Sequence, residues 1–159
     1  MIRKFILIFC FLMFACAQTS TPISTPVLSG TDTELEAATQ QARDSLNTFA
    51  STITTPRVDR TFVAVKVRFF PPSELPQDIW VDEVTYTDGA FRGNMGDDIP
   101  SLKLEAGEKI TIKEKDILDW MIVEDGKLIG GYTIRLAVER MSPDERKRFL
   151  ETLDYSIED

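Results

Sequence analysis

The segment that decides the fold is residues 117–131, which read ILDWMIVEDGKLIGG. An apolar run from Ile117 to Val123 is followed by Asp125-Gly126, a dipeptide that favours a two-residue hairpin turn. The short stretch 127–129 then returns as the partner strand. Two glycines follow, and they allow the backbone to turn tightly into the next element. We therefore predict an antiparallel hairpin that leads directly into another secondary-structure element.

More strands are predicted upstream of this hairpin. They cover residues 61–70, 79–87, 90–94 and 109–113, and the second is joined to the third by a further Asp-Gly turn, Asp88-Gly89. Apolar side chains alternate with charged ones in the first strand. We expect one face of that strand to be apolar and the other to carry Lys66 and Arg68.

Helices are predicted at both ends of the strand region. A helix from about residue 33 to residue 52 begins with a capping box at Thr33. Residues 132–141 are ambiguous between strand and helix, and the pattern favours helix. A last helix begins at Ser142, with Pro in its first turn and Glu three residues after the cap. The predicted fold class is α+β: a twisted antiparallel sheet with hairpins, covered on one side by an N-terminal helix and one or two C-terminal helices.

Composition argues against several classes of function. The chain has 18 Lys and Arg against 26 Asp and Glu, which gives a net charge of −8. No basic stripe is available for nucleic acid, so we expect no nucleic-acid partner. The sequence contains no histidine, the commonest metal ligand and general base. The two cysteines, Cys10 and Cys16, both lie in the first sixteen residues. We therefore expect no metal, no cofactor and no thiol nucleophile in the body of the protein.

The first sixteen residues, MIRKFILIFCFLMFAC, predict a lipoprotein signal peptide. A basic start precedes an apolar run from Phe5 to Phe14, which is too short to span a bilayer core of ~30 Å. The Ala15-Cys16 junction resembles a lipobox, and Cys16 is the predicted site of lipid attachment (palmitate or a similar acyl chain) after removal of residues 1–15. The alternative is that Cys16 is a buried apolar residue of a plain signal or anchor helix.

The predicted signal peptide has consequences for the domain organisation and the location of the protein. Residues 16–32 are rich in Ser, Thr and Pro and are predicted to be a tether. Residues 33–155 form a single predicted α+β domain. We expect the protein to be in the bacterial cell envelope, held on the membrane by its N-terminal lipid and facing the periplasm. Ala17, the residue after the cysteine, favours the outer membrane by resemblance to known sorting rules.

Several segments carry a resemblance to one bacterial family. They are Phe62-x-x-x-Lys66-Val67-x-Phe69, Trp80 with Gly89 and Gly93, Gly107-x-x-Ile110-x-Ile112, Ile117-x-Asp119-Trp120-Met121, and Gly130-Gly131-Tyr132-Thr133-Ile134-Arg135. Together they resemble the YegJ-like bacterial domain of unknown function, over about residues 58–141. No activity is known for this family. The resemblance therefore implies a domain boundary but no reaction.

The candidate binding residues are Asp119, Trp120, Tyr132 and Arg135. In the functional interpretation, Trp120 forms the floor of a small pocket and Asp119 orients a ligand or pairs with Arg135. In the structural interpretation, Trp120 is a core residue and Asp119 caps a turn or holds Arg135. A charge among apolar neighbours needs a partner, and Arg can grip a carboxylate with two hydrogen bonds. We therefore predict an Asp119–Arg135 ion pair, with the Tyr132 hydroxyl in the same network.

No catalytic residue is predicted, because no recognisable constellation of catalytic side chains is present. The leading hypothesis is a small acidic binding or structural domain that contacts an envelope protein or a small ligand. The alternative hypothesis is a carboxylate-dependent hydrolase acting on an envelope glycan. A glycosidase needs two carboxylates that face each other across a cleft, about 5–10 Å apart. That requirement distinguishes the two hypotheses.

Overall fold

The structure is a computed structural model and describes residues 33–158. Within that range the helices are α1 (Thr33–Asp44), α2 (Leu46–Thr54), α3 (Tyr132–Arg140) and α4 (Pro143–Leu150). The strands are β1 (Arg60–Phe69), β2 (Gln77–Thr87), β3 (Ala90–Met95), β4 (Lys109–Ile112), β5 (Ile117–Glu124) and β6 (Lys127–Gly130). The element order is thus helices, strands, then helices, as an α+β fold requires.

The strands of the described range form one antiparallel sheet in the order β4-β3-β2-β1-β5-β6. Both Asp-Gly turns adopt left-handed backbone at their two central residues, with φ of 54° and 73° at Asp88-Gly89 and 53° and 68° at Asp125-Gly126. This is the pattern of a type I′ hairpin turn. The predicted fold class and both hairpins are confirmed.

Helices pack on both faces of the sheet, because successive residues of a strand point to opposite sides. On the first face, α1 and α2 cover a buried layer that includes Ala42, Phe49, Val65, Val81, Phe91 and Trp120. On the second face, α3 and α4 cover a layer that includes Ala64, Met121, Val123, Leu128, Ile134 and Val138. The prediction of a single covered side is therefore wrong. Ala64 lies between Phe62 and Lys66 on its face of β1 and belongs to this second layer.

The N-terminal helix is interrupted, whereas one continuous helix was predicted. The carbonyl of Ala42 accepts hydrogen bonds from Trp120 Nε1 (3.0 Å) and from Ser45 Oγ (3.0 Å). Side-chain donors thus take the carbonyl that the N–H of Leu46 would use in a continuous helix, and such competition breaks or bends helices.

Both C-terminal segments that were predicted to be helical are helical in the structure. The ambiguous segment 132–141 is helical, as favoured. At the start of α4 the backbone N–H of Ser142 donates to Glu145 Oε2 (3.0 Å), and Ser142 Oγ accepts from the N–H of Glu145 (3.4 Å), which confirms the capping box. The helix ends at Leu150, whereas the sequence pattern predicts an end at about Leu153.

The predicted signal peptide, Cys16 and the tether lie outside the described residues, and they stay predictions. In the range 33–158, no helix is long and apolar enough to cross a membrane.

Candidate functional site

The carboxylate of Asp119 caps helix α3 from strand β5. Its Oδ1 accepts hydrogen bonds from the backbone N–H groups of Trp120 (2.8 Å) and Tyr132 (3.1 Å). Its Oδ2 accepts from Thr133, through both the N–H (2.7 Å) and the hydroxyl (2.7 Å). A negative charge is favourable there, because the first N–H groups of a helix lack intrahelical partners. Since Asp119 is 0% exposed, this carboxylate holds the fold together and is closed to ligands.

The Gly130-Gly131 turn places α3 over this carboxylate. Both glycines have left-handed backbone, with φ of 73° and 66°, a conformation that glycine adopts without steric cost. A Cβ on Gly130 would lie 2.6 Å from the Trp120 ring, so a side chain has no room there. The N–H of Gly131 donates to the carbonyl of Trp120 (2.8 Å). The predicted tight turn is confirmed.

The predicted Asp119–Arg135 ion pair is wrong. The guanidinium of Arg135 donates to the backbone carbonyls of Gly130 (Nε, 2.8 Å), Leu128 (Nη2, 2.8 Å) and Glu158 (Nη1). Arg135 therefore ties strand β6 to the C-terminal segment. Each charge finds its partners in the backbone, because α3 presents free N–H groups to one and β6 presents carbonyls to the other.

Trp120 is a core residue and not the floor of an open pocket. It is 4% exposed, its ring stacks on Phe49 at 5.0 Å between centroids, and its Nε1 is bonded to α1 as described above. The Tyr132 ring meets it edge-on at 5.8 Å. The Tyr132 hydroxyl hydrogen-bonds with Ser45 Oγ (3.1 Å) and takes no part in a network with Asp119. The four predicted binding residues thus all make contacts that hold elements of the fold together.

An open groove lies elsewhere, on the second face of the sheet, between the strands and the α3–α4 side. Its volume is about 470 Å³. The walls are mostly apolar and come from β1, β2, β5, α3, α4 and the segment after α4; they include Phe62, Trp80, Met121, Ile134, Phe149 and Tyr155. Because several elements build it, the groove has the concave, apolar form of a small-molecule site.

A second depression, of about 700 Å³, runs along α4 and is lined by residues between Met141 and Glu151. It is larger but more open, and its lining includes the charged side chains of Arg146, Lys147 and Glu151. A shallow surface along one helix makes a poorer binding site than a groove built from several elements. We therefore take the groove on the second face as the candidate functional site.

The side chain of Lys66 contacts Trp80, one of the residues that line this groove. In the register of the sheet Lys66 is opposite Trp80 on β2 and Asp119 on β5. Its Nζ is 5.6 Å from the centroid of the Trp80 ring, within the range of a cation–π contact. Among residues 33–158, the ammonium of Lys66 makes no hydrogen bond or ion pair. The groove therefore has a partly buried cation next to one of its walls.

The charges around Lys66 are already engaged. Asp78 is held by Arg68, with Nε–Oδ1 and Nη2–Oδ2 distances of 2.7 and 2.8 Å. Burial lowers the pKa of Lys66, and the negative charges of Asp119 and Asp78 oppose that change. Burial also raises the pKa of Asp119, against the hydrogen bonds from Thr133, Trp120 and Tyr132. Lys66 is thus a cation whose carboxylate neighbours are bonded to other groups.

The sequence pattern assigns Lys66 and Arg68 to the face of β1 opposite the apolar one, and this site was not predicted. A signal was available in the alternate positions of the same strand. Phe62 and Ala64 share the face of Lys66, and a face with two apolar residues out of four indicates a covered surface. The partner strand adds Trp80 to the same face.

The adjacent carboxylates Asp97 and Asp98 both bond to loop backbone. Asp98 Oδ1 accepts from the N–H of Ala106 (2.7 Å), and Asp97 Oδ1 accepts from the N–H of Asp98 (2.8 Å), so both hold loop backbone. In the part of the chain that the structure describes, no group of three or more His, Cys, Asp or Glu side chains is placed to hold a metal ion.

Comparison with known proteins places the chain among bacterial relatives. Residues 32–155 match DUF2314, a family described as an uncharacterized protein conserved in bacteria. The chain is 30% identical over 135 residues to the uncharacterized protein YegJ of Escherichia coli K12, which covers 83% of this chain and 86% of that one. It is 33% identical over 90 residues to a putative ankyrin repeat protein of Neisseria meningitidis serogroup B, covering 54% of this chain and 35% of that one. No solved structure matches. The match over most of the chain shows that this protein belongs to the DUF2314 family of bacterial proteins.

Proposed function

We propose that the protein is a lipid-anchored lipoprotein of the bacterial cell envelope whose small acidic domain binds a small ligand in the groove on its second face. The N-terminal lipid on Cys16 holds it at the outer membrane, and the domain faces the periplasm. The observation that carries the binding role is the apolar groove, because one of its lining residues, Trp80, also contacts the ammonium of Lys66. The basic start, short apolar run and Ala15-Cys16 junction of the sequence support the anchor.

A small ligand is favoured over an envelope protein because of the shape of the site. A volume of about 470 Å³ lies within the range of ~300–1,000 Å³ that is typical of small-molecule pockets. A protein partner requires a larger and flatter contact surface.

The hydrolase hypothesis receives no support from this groove. Among the described residues that line it, Asp154 is the single carboxylate. A glycosidase requires a second carboxylate across the cleft. Asp119, on the same strand as the lining residues Met121 and Val123, is buried and bonded to α3.

The lipid anchor is tested by metabolic labelling with an alkyne-bearing palmitate in cells that express the full chain. We expect the wild-type protein to take up the label and the Cys16→Ser variant to accumulate as an unlabelled precursor. Cys10→Ser is the matched control, since it alters the other cysteine of the same segment, and it should be labelled and processed normally. Label and processing that persist in Cys16→Ser would contradict the proposed anchor.

A further inference from the structure

We propose that the groove binds a long-chain carboxylate, with the carboxylate head on the ammonium of Lys66 and the hydrocarbon chain against Phe62, Trp80 and Met121. The ligand class is a single-chain amphiphilic anion of the fatty-acid type. This inference rests on the binding role proposed above and specifies the ligand.

The head group is inferred from the unused donors of Lys66. An ammonium has three N–H donors, and those of Lys66 meet no acceptor among residues 33–158. The Nζ atom keeps contact with solvent, so a carboxylate from outside can reach it. Asp78 is occupied by Arg68, and both oxygens of Asp119 are occupied by the start of α3. A carboxylate from outside would supply the missing charge-assisted hydrogen bonds, which are among the strongest in proteins.

The chain is inferred from the walls of the groove. Trp80 is common to both features, because its ring lines the groove and lies 5.6 Å from the ammonium. Phe62 is 41% exposed, a large apolar surface that a hydrocarbon chain would cover. Burial of such surface contributes about 25 cal/mol per Å². One molecule can therefore satisfy the cation and cover the apolar wall together.

The remaining charges of the groove are compatible with an anion. Burial raises the pKa of Tyr155, with a smaller effect of Asp154, so the Tyr155 hydroxyl stays neutral at physiological pH. Asp154 is exposed at the rim, where water screens its charge. A cationic amphiphile would instead meet Lys66, which would repel it. An uncharged alcohol of equal length would lose the charge-assisted hydrogen bonds.

The experiment compares two photoreactive probes on isolated membranes that contain the full chain. One is a sixteen-carbon carboxylate with a diazirine near the end of its chain, and the other is the alcohol with the same chain and diazirine. We expect the carboxylate to label peptides that contain Met121 or Phe149 about tenfold more strongly than the alcohol, after normalisation to bulk membrane protein. An excess of dodecanoate should displace it.

Variants separate the head-group contact from the chain contact. Lys66→Met should reduce labelling by the carboxylate to the level of the alcohol, and Lys66→Arg should restore most of it. Arg68→Met is the matched control, because Arg68 is on the same face of β1 but is already paired with Asp78; its labelling should be unchanged. Phe62→Ala should weaken labelling by both probes.

Equal labelling of the wild-type groove by the two probes would overturn the ligand class, and so would unchanged labelling in Lys66→Met. Either result would leave the groove as a binding surface for another ligand. The absence of groove labelling by both probes would overturn the inference together with the apolar binding role. Failure of the lipid anchor is detected separately, in the Cys16→Ser experiment.

Discussion

The two faces of the sheet are built from alternate residues of the same strands, yet one is closed and the other is partly open. On the first face Phe49 lies between Phe91 and Trp120, at centroid distances of 5.7 and 5.0 Å, and is completely buried. On the second face Phe62 remains 41% exposed, and the ammonium of Lys66 makes no hydrogen bond or ion pair with residues 33–158. The comparison indicates that the first face supplies stability and the second supplies the binding surface.

The largest expected contrast comes from one phenylalanine on each face. Phe49→Ala should lower the free energy of unfolding by about 4 kcal/mol, because it leaves a cavity in a close-packed layer. Phe149→Ala, which removes a partly buried ring from the groove side, should cost about 1–2 kcal/mol. Urea denaturation of both variants measures the difference. Equal losses would contradict the assignment of stability to the first face.

The cap on α3 is a buried polar contact between β5 and that helix. Asp119→Asn should lower the free energy of unfolding by about 3 kcal/mol, because the amide NH₂ group would meet backbone donors in a buried site. Thr133→Val removes only the hydroxyl donor to Oδ2 and should cost about 1 kcal/mol. The same urea titrations provide the comparison. A loss below 1 kcal/mol in Asp119→Asn would show that the carboxylate is not needed to hold α3.

At Lys66 we expect a substitution to raise the free energy of unfolding, in contrast to the losses expected above. Lys66→Met should raise the free energy of unfolding by about 1 kcal/mol, since it replaces a partly buried unpaired cation by an apolar side chain of similar length. Arg68→Met, at an exposed ion pair on the same face, should change stability by less than about 1 kcal/mol. Destabilisation by Lys66→Met would indicate that Lys66 is a structural residue.

The smallest expected effect is a pH dependence of the difference in the free energy of unfolding between the wild type and Lys66→Met. Because the folded-state pKa of Lys66 is lowered, the folded chain binds fewer protons than the unfolded chain between that pKa and the ordinary lysine value of 10.5. The free energy of unfolding contributed by this group therefore rises with pH across that window. Comparison of urea titrations of the wild type and Lys66→Met at several alkaline pH values isolates it. An identical pH profile in both proteins would contradict a lowered pKa.

Most of the fold could be predicted from local patterns. The Asp-Gly turns, the alternation in β1 and the capping box at Ser142 each depend on residues close together in sequence, and each is confirmed. The break between α1 and α2 was not predicted, because one of the two donors to the Ala42 carbonyl, the indole of Trp120, is distant in sequence.

The candidate site was less predictable for the same reason. Asp119 and Arg135 are correctly recognised as charges that need partners, but their partners are backbone groups presented by α3 and β6. The pattern of side chains in the sequence does not indicate which backbone groups will lie next to a given charge. The alternation in β1 indicates a covered face for Lys66, but the bonding of its carboxylate neighbours to Arg68 and to α3 is visible only in the structure.

The most direct test of the central claim, that Lys66 is the unpaired cation of a binding groove, is the pKa of its ammonium by NMR. The full chain labelled with carbon-13 at the lysine ε-carbons is titrated with and without dodecanoate, and Lys66→Arg assigns the signal. We predict a pKa below the ordinary lysine value in the free protein and a higher pKa with dodecanoate, because a carboxylate partner stabilises the charged form. A pKa that dodecanoate leaves unchanged would contradict the account.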